Sequence, residues 1–567
     1  MHEAYLSDNK DLDNVIKKVD NLVMNQCNSD KCSESHCHKI TKDLVQKAID
    51  NLKNGKDDES YYLSSNHFIY ASELAIGKLS IILDLMIKHG IANELINKSV
   101  IKPIPKCMRK SLSVSSNYRA ISKNSIISKI IDNIMILQIK DKLITTSYQF
   151  AYKEGYSTSL CSFLVAETIQ YYKSNGSDVY MLSLDASKAF DRVKYSKLFK
   201  LLIERAICPL IIRYIVNIYM ISSASVKWNK CESNSFYIGN GVKQGGIISA
   251  PLFAIYIDPL ICKLNRTKEG CYIGGICANA FAYADDIVIL SPSCSALRCL
   301  ISICESFAKE YEIIFNPDKC SLLIFSDSEF RKNNVNIMFC DKQVKIDTKE
   351  KHLGHVLSVD YCHTSNLVNI DSVIRDMKVR TNAIITQYKS VSWKSKVALF
   401  NSQCLPLYGC HLWRIDDKNV EKLCTTWRVC CRRLLGLNSR TRSHLIPHLM
   451  GTAPIIDIIM YRMLNFVLAG INHESSIINN FFKNSLISNT SYISANVNKI
   501  IENFSINYLE LFSFNKNKLK SRLNEKLGIK DWQCNIVEEL LDMREKGLEA
   551  NLDSKEIRTM LNNVSII

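Results

Sequence analysis

The chain has 567 residues, 47% of them apolar and 23% charged, with 19 Gly and 10 Pro. At several times the ~150 residues of a comfortable single domain, and with so little Gly and Pro, it excludes one small module and any disordered, collagen-like or linker-dominated reading. The 72 Lys and Arg exceed the 56 Asp and Glu by 16, a surplus that points first to phosphate and second to an anionic membrane surface, with plain solubility as the bland alternative.

Cysteines number 22, yet the opening MHEAYLSDNKDLDNV has no charged-then-apolar leader. Most are therefore expected as reduced thiols filling core positions of an intracellular protein of the nucleus or cytoplasm. No uncharged apolar stretch reaches the roughly 18 residues of a membrane span, so no membrane partner is expected.

Along the chain, residues 1–60 read as a leader with few aromatics and a cluster of Cys27, Cys32, His36, Cys37 and His38. Its C-x4-C-x4-C spacing could offer thiolates to zinc, but no second tight pair follows, so ordinary thiols are the simpler reading. A helix is predicted over 41–55, with Leu44, Val45, Ala48, Ile49 and Leu52 on one stripe, and another over 73–89 that stops at Gly90. VIKPIPK (100–106) reads as extended, and from there to about 360 helical stripes alternate with short apolar runs ending in acidic or Gly-rich turns, an α/β or α+β signature.

VYMLSLDASKAFDRV (179–193) is an apolar run ending at Asp185, which reads as a buried strand delivering a carboxylate to its tip. AFAYADDIVILSPS (280–293) reads as a hairpin whose tip carries Asp285 and Asp286. Carboxylates from two strands that meet suit magnesium, which keeps waters and is bound through one or two carboxylates plus substrate phosphates, better than zinc. Strand neighbours face opposite ways, so one of Asp285 and Asp286 is the weaker or indirect ligand unless the turn bends between them. Between the acidic elements, GNGVKQGGIISAPLFAIYID (239–258) places Gly241, Gln244, Gly245 and Gly246 in a turn poor in side chains, before a helix opening at Ser249 and Pro251. Such a turn lets backbone approach a nucleotide closely. After about 365 helices take over, VEKLCTTWRVCCRRLLGL bringing Arg428, Arg432 and Arg433 together, and beyond 470 an Asn/Lys-rich stretch has helix signals at 495–512 and 535–547.

Taken in order, these segments resemble the reverse transcriptases of non-LTR, LINE-type retrotransposons. KPIPK (102–106) with NYRAISKNSIISKIID (117–132) is similar to the fingers block, and YQFAYKEGYSTSL (148–160) to the family's QFGF and ST segment. LDASKAFDRV (184–193), GVKQGGIISAPLF (241–253), YADD (283–286), FNPDKC (315–320) and HLG (352–354) follow in the family's order, and KSKVALFNSQCLPLYGCHLW (394–413) resembles the start of a thumb. The chain departs from the family in writing Ser249-Ala250-Pro251 where Ser-Pro is usual and Tyr152 where Phe is frequent.

The resemblance implies an α+β, right-hand polymerase fold of fingers, palm and thumb, with an antiparallel palm sheet and a helical C-terminal region. The expected order is a leader over 1–60, fingers and palm over 61–365, thumb over 366–465 and a tail without assigned role over 466–567. It implies RNA-directed DNA synthesis on an RNA template, from a DNA primer or target DNA, using deoxynucleoside triphosphates. Asp185, Asp285 and Asp286 would be the catalytic, metal-holding acids for magnesium, or manganese in its place, with the backbone carbonyl of Ala186 as a further ligand. Arg119 would meet the incoming triphosphate with Lys129 as a second basic candidate, while Gln244 and Gly245 would lie over the nucleotide and Phe190 beneath its sugar. Lys319, with Asn316, would support the site from the palm. Arg428, Arg432 and Arg433 would track a nucleic-acid backbone, against the bland alternative of a solvated helix face.

Only about a hundred residues precede KPIPK, too few for the endonuclease such proteins often carry, and Cys534 is isolated, so the chain reads as polymerase-only. Two alternatives stay open: a catalytically silent nucleic-acid-binding relic of the same fold, and a group II intron maturase-like protein.

Overall fold

The stripe over 73–89 forms the helix Glu73–His89, burying Ile76, Ser80, Leu83 and Ile87 on one side. Gly90 ends it in the left-handed region (φ +66°), returning its N–H to Ile87 and Met86. The predicted helix over 41–55 is shorter, Lys42–Asp50, capped by the Thr41 hydroxyl. It stops early because the Leu52 N–H turns back to the Ile49 carbonyl at 2.8 Å instead of continuing the α ladder. The computed structural model describes residues 2–27, 39–58, 63–329, 335–360, 364–488, 490–504 and 521. Cys32, His36, Cys37 and His38 of the amino-terminal cluster, and the helix expected at 535–547, lie outside the described residues. The helix His2–Leu22 packs against the helices Tyr195–Glu204 and Pro209–Met220, with Val19 and Val23 buried. The described part of residues 1–60 thus contributes to the core, through Val19, Ile40, Val45, Ala48 and Ile49.

Two sheets organise the next 260 residues. In the first, β1 (Ser99–Pro105) pairs antiparallel with β2 (Tyr118–Asn124). After β3 (Val179–Leu184), which belongs to the second sheet, β4 (Ser223–Trp228) runs parallel to β1 and carries β5 (Cys231–Glu232) and β6 (Phe236–Tyr237). A small hairpin of β7 (Tyr272–Ile273) and β8 (Ile276–Cys277) precedes β9 (Ala280–Tyr283) and β10 (Asp286–Ser291). These join β3 and β11 (Ser321–Phe325) in the second sheet, where β11, β3, β10 and β9 are successive antiparallel neighbours. Past the pair β12 (Met338–Phe339) and β13 (Lys342–Gln343), the edge strand β14 (Lys345–Ile346) is parallel to β11. On the opposite edge, residue 149 bridges Ala282 in parallel. The antiparallel palm sheet expected from the sequence is present, with parallel additions at both edges. Its centre is buried throughout, Val179, Met181, Leu182, Ile289 and Leu322 having at most 1% exposure, so apolar residues occupy both faces and strict alternation is lost.

Beyond β15 (Lys349–His352) and β16 (His355–Ser358), the described chain is helical. Helices Thr364–Gln387 and Lys418–Leu434 pack on each other, and Trp413 and Trp427 are buried. The helices Ile455–Ile471, Ser476–Ile487 and Tyr492–Phe504 follow. The last begins three residues before the expected 495, and residues beyond 504 in the expected span 495–512 lie outside the described ones. These helices are docked, not appended: Phe482 stacks on Phe163 of the helix Thr158–Ser174 (4.4 Å, 25°), and Gln170 donates to the Thr490 carbonyl at 3.1 Å. Cys161, Cys271, Cys304, Cys320, Cys404 and Cys431 are buried thiols, as expected of reduced core cysteines. Among the described residues, no helix is long and apolar enough to cross a membrane.

The β15–β16 hairpin meets the helical region through histidines. His355 stacks on Tyr408 (5.0 Å, 16°), His411 on Phe466 (4.3 Å, 30°), and the Tyr408 hydroxyl donates to the Leu353 carbonyl at 2.6 Å. Burial first, then neighbouring charge, pulls His352 and His355 down to about 4 and His411 to about 3. They are neutral in the fold, whereas the unfolded chain binds protons below about 6.5. Stability from these groups is therefore full above pH 6.5 and is lost as pH falls toward 4, by up to on the order of 3 kcal/mol for His411. A His411→Phe variant should show a shallower fall of Tm between pH 6.5 and 4 than the wild type. Parallel curves would mean that His411 does not titrate with unfolding.

Candidate active site

β3 ends at Leu184, which pairs with Ile287 of β10. Asp185 follows directly on that last pair, within electrostatic reach of Asp286 at the start of β10. Tyr283 and Asp286 pair across the tip, leaving Ala284 and Asp285 as a two-residue turn, with Ala284 at φ +59°. Sequence patterning placed both acids at a hairpin tip; the structure divides them, Asp285 in the turn and Asp286 at the start of the strand.

The carboxylates feel one another. Burial, then the charge of Asp185, raises Asp285 above the ordinary carboxylate range, while its own backbone amide and Arg119 pull the other way. Asp286 reaches solvent but is pushed up to about 6, first by the protein packed around it and then by Asp285 and Asp185. Asp185 carries a cation in place: Lys319 Nζ lies 3.0 Å from its Oδ2. Lys319 is delivered by a built turn. Asn316 Oδ1 accepts from the Asp318 N–H (3.1 Å), the Asn316 N–H donates to the Asp185 carbonyl (2.9 Å), and the Ser187 N–H donates to the Ile314 carbonyl (2.8 Å).

Those last two bonds flank the Ala186–Phe315 bridge, which makes Ala186 a non-hydrogen-bonded position whose own carbonyl points away from residue 315. Among the described residues, no group of three or more His, Cys, Asp or Glu closes into a metal cage. An all-oxygen set of mutually repelling carboxylates, one of them already holding an ammonium, nevertheless fits a hard divalent cation that completes its shell with water and phosphate.

Arg119 lies on β2 opposite Ile104 and within electrostatic reach of Asp285. The loop with Gln244 and Gly245 lies against the same strand: the Ser122 N–H donates to the Gln244 carbonyl at 2.6 Å. Gly245 has φ +113°, and a Cβ there would fall 2.5 Å from the Ser122 carbonyl oxygen, so only glycine allows this approach. The loop is also tied to the segment that follows Asp185, since the Val242 N–H donates to the Phe190 carbonyl at 2.8 Å. Half-buried Phe190 stacks face to face on Phe253 (4.5 Å, 15°). Lys129 lies on the helix Ile126–Ile139, with Lys123, Asp58 and Asp132 within electrostatic reach and burial lowering its pKa.

On the helix Lys418–Leu434, Arg428 donates to the Thr425 hydroxyl at 3.0 Å and Arg433 is exposed. Arg432 binds the Thr441 carbonyl (2.7 Å) and the Ser443 hydroxyl (3.0 Å), so it holds the loop that bears Arg440 and Arg442.

Three polar residues near the site escaped the sequence reading. Asp132, buried and raised to about 6 by that burial, accepts from the N–H of Ile247 (3.1 Å). It also accepts from the Ile248 N–H at 3.5 Å, and so ties down the two residues that lead into the helix Ser249–Arg266. Glu350, pushed up to about 7 chiefly by burial, lies under the sheet with Ser183, Ser321 and Asp286 around it. Gln149 is fully buried and bonds to the acidic turn. The only local signal for Gln149 was its place in the YQFAY segment.

Residues 104–360 match the family model described as reverse transcriptase (RNA-dependent DNA polymerase). The transposon TX1 uncharacterized 149 kDa protein of Xenopus laevis is 25% identical over 283 residues, 49% of this chain and 21% of that protein. The Pol polyprotein of the type-2 retrotransposable element R2DM of Drosophila melanogaster is 24% identical over 250 residues, 44% of this chain and 23% of that protein. The matches thus span between about a fifth and a quarter of these relatives. Among solved structures, apo telomerase from Candida Tropicalis aligns with a TM-score of 0.38 at 12% identity, over 76% of each chain.

Proposed function

Starting from a reverse transcriptase domain over residues 104–360 of the kind found in non-LTR retrotransposon proteins, we propose that this chain extends a DNA primer, or a nicked target DNA, on an RNA template. The observation that carries this reading is the meeting of Asp185, Asp285 and Asp286 beside a strand bearing Arg119 and a loop bearing Gln244. Clustered acid that raises its own pKa costs stability, and such a cost is retained where charge must be neutralised during reaction.

Magnesium or manganese held by the three carboxylates and the Ala186 carbonyl would supply that positive charge when bound. The protein's own part is positioning. Arg119 binds the triphosphate of a deoxynucleotide, Gln244 and Gly245 cover the base and sugar, and Lys319 neutralises the Asp185 edge. Lys129, within electrostatic reach of Asp132, supports the loop more than the triphosphate. Such an enzyme works where RNA and target DNA meet, in nucleus or cytoplasm. Primer extension by purified protein on matched RNA and DNA templates, with each metal, tests the reading. Duplex binding without extension on either template would favour the silent relic instead.

Arg428 and Arg433 are proposed to follow the backbone of the template–primer duplex, with Arg432 presenting Arg440 and Arg442 through its loop. Replacing Arg428 and Arg433 by Gln should weaken duplex binding and flatten its salt dependence by up to ~0.9 log unit for each phosphate no longer neutralised. Fluorescence anisotropy across a salt series measures this, and an unchanged slope would return the helix to an ordinary solvated face.

A further inference from the structure

We propose that Gln149 is a positioning residue for the acidic turn, a role that rests on reading Asp185, Asp285 and Asp286 as the metal-holding acids. Gln149 is 0% exposed and lies 135 residues before the turn it touches. Its Oε1 accepts from the Ala284 N–H at 2.9 Å and from the Ala151 N–H at 3.1 Å, while its Nε2 donates to the Ala284 carbonyl at 3.4 Å. Both polar groups of the Ala284 backbone therefore end on one side chain.

This matters because Ala284 is 5% exposed and stands at φ +59°. A left-handed non-glycine residue is disfavoured, and persists when its surroundings over-determine it. With its N–H and carbonyl buried, Ala284 would suffer both strain and unmade hydrogen bonds if Gln149 were absent. The clamp itself is fixed: the Phe150 N–H donates to the Ala282 carbonyl at 2.8 Å, and the Ala282 N–H to the Tyr148 carbonyl at 2.9 Å. Residues 148–150 thus dock on β9, and Gln149 reaches past the end of that strand to set the conformation from which Asp285 and Asp286 leave the turn. A side chain that orients ligands without touching the metal typically affects metal affinity or activity by about 10–100-fold.

Gln149→Met keeps length and volume but removes every donor and acceptor. Titration of Mn2+ alone, followed by electron paramagnetic resonance on the full chain, should show binding weakened by about 10–100-fold. Primer extension should lose kcat by a similar factor, with KM for the deoxynucleotide little changed. Glycine adopts positive φ freely, so Ala284→Gly should be near neutral alone and should restore part of both losses when combined with Gln149→Met. Should Gln149→Met fail to fold, Gln149→Asn, one methylene too short to reach the turn, carries the same comparisons. Unchanged Mn2+ affinity in a folded Gln149 variant, or strictly additive effects with Ala284→Gly, would overturn the proposal. A wild type that binds Mn2+ but extends no primer would instead count against the proposed polymerase function and leave the Mn2+ comparison intact.

Discussion

Asp185→Asn and Asp285→Asn are each expected to abolish primer extension while leaving template binding and folding in place. Each substitution keeps the shape of the side chain and removes one charge from a cluster proposed to hold positive charge against a reacting phosphate. Losing several kcal/mol of that charge stabilisation corresponds to a rate fall of about a thousandfold or more. The stability effect runs the other way. Asp286 sits at about 6 in the fold, pushed there by its packing and by the charges of Asp285 and Asp185. A carboxyl whose folded pKa lies above its unfolded value favours the folded state less as pH rises through that interval. Removing either neighbour's charge lowers the Asp286 pKa, which in Asp185→Asn is set against loss of the exposed Lys319 ion pair, worth at most about 1 kcal/mol, so neither variant should be markedly less stable than wild type at neutral pH. Extension rates, anisotropy with an RNA–DNA duplex and Tm separate these outcomes, and near wild-type extension in magnesium by either variant would refute the assignment.

What could be read from the sequence was whatever local chemistry specifies. The stripe from Glu73 to His89 with Gly90 behind it has one helical solution, and an apolar run ending in acid has few uses other than a buried strand aimed at a site. The hairpin over 280–293 was legible for the same reason. Illegible were contacts that only the closed fold creates. Asp132 meets Ile247 across 115 residues and Gln149 meets Ala284 across 135, so no window of sequence could pair them. Glu350 sits in KEKH, a run that reads as exposed, yet its carboxyl lies beneath β3 and β11 because β15 folds under that sheet. Arg432 shows the converse. The sequence placed it with Arg428 and Arg433, and only the structure shows its guanidinium committed to Thr441 and Ser443.

Trimming Phe190 to Val is expected to admit ribonucleotides while leaving deoxynucleotide incorporation largely intact. Phe190 lies five residues beyond Asp185, its carbonyl is fixed by the Val242 N–H, and its ring lies flat on Phe253 at 4.5 Å. Phe253 is 1% exposed and sits in the helix Ser249–Arg266, so the platform beneath Phe190 is rigid and the ring cannot retreat from a bulkier sugar. A 2′-hydroxyl brought against it would have to displace packed aromatic carbon or lose its hydrogen bonds to water, and either penalty falls on the ribonucleotide alone. Removing most of the ring opens that volume, and the ratio of ribo- to deoxynucleotide kcat/KM should rise by on the order of tenfold to a hundredfold, corresponding to roughly 1–3 kcal/mol. A Phe190 that served only as packing would instead cost a few kcal/mol of stability through the cavity left against Phe253, with no change in the ratio. Measuring Tm alongside the ratio distinguishes the two. An unmoved ratio in a folded, active variant would show that another side chain excludes the hydroxyl, with Gln244 the next to test because its loop is tied both to Phe190 and to β2.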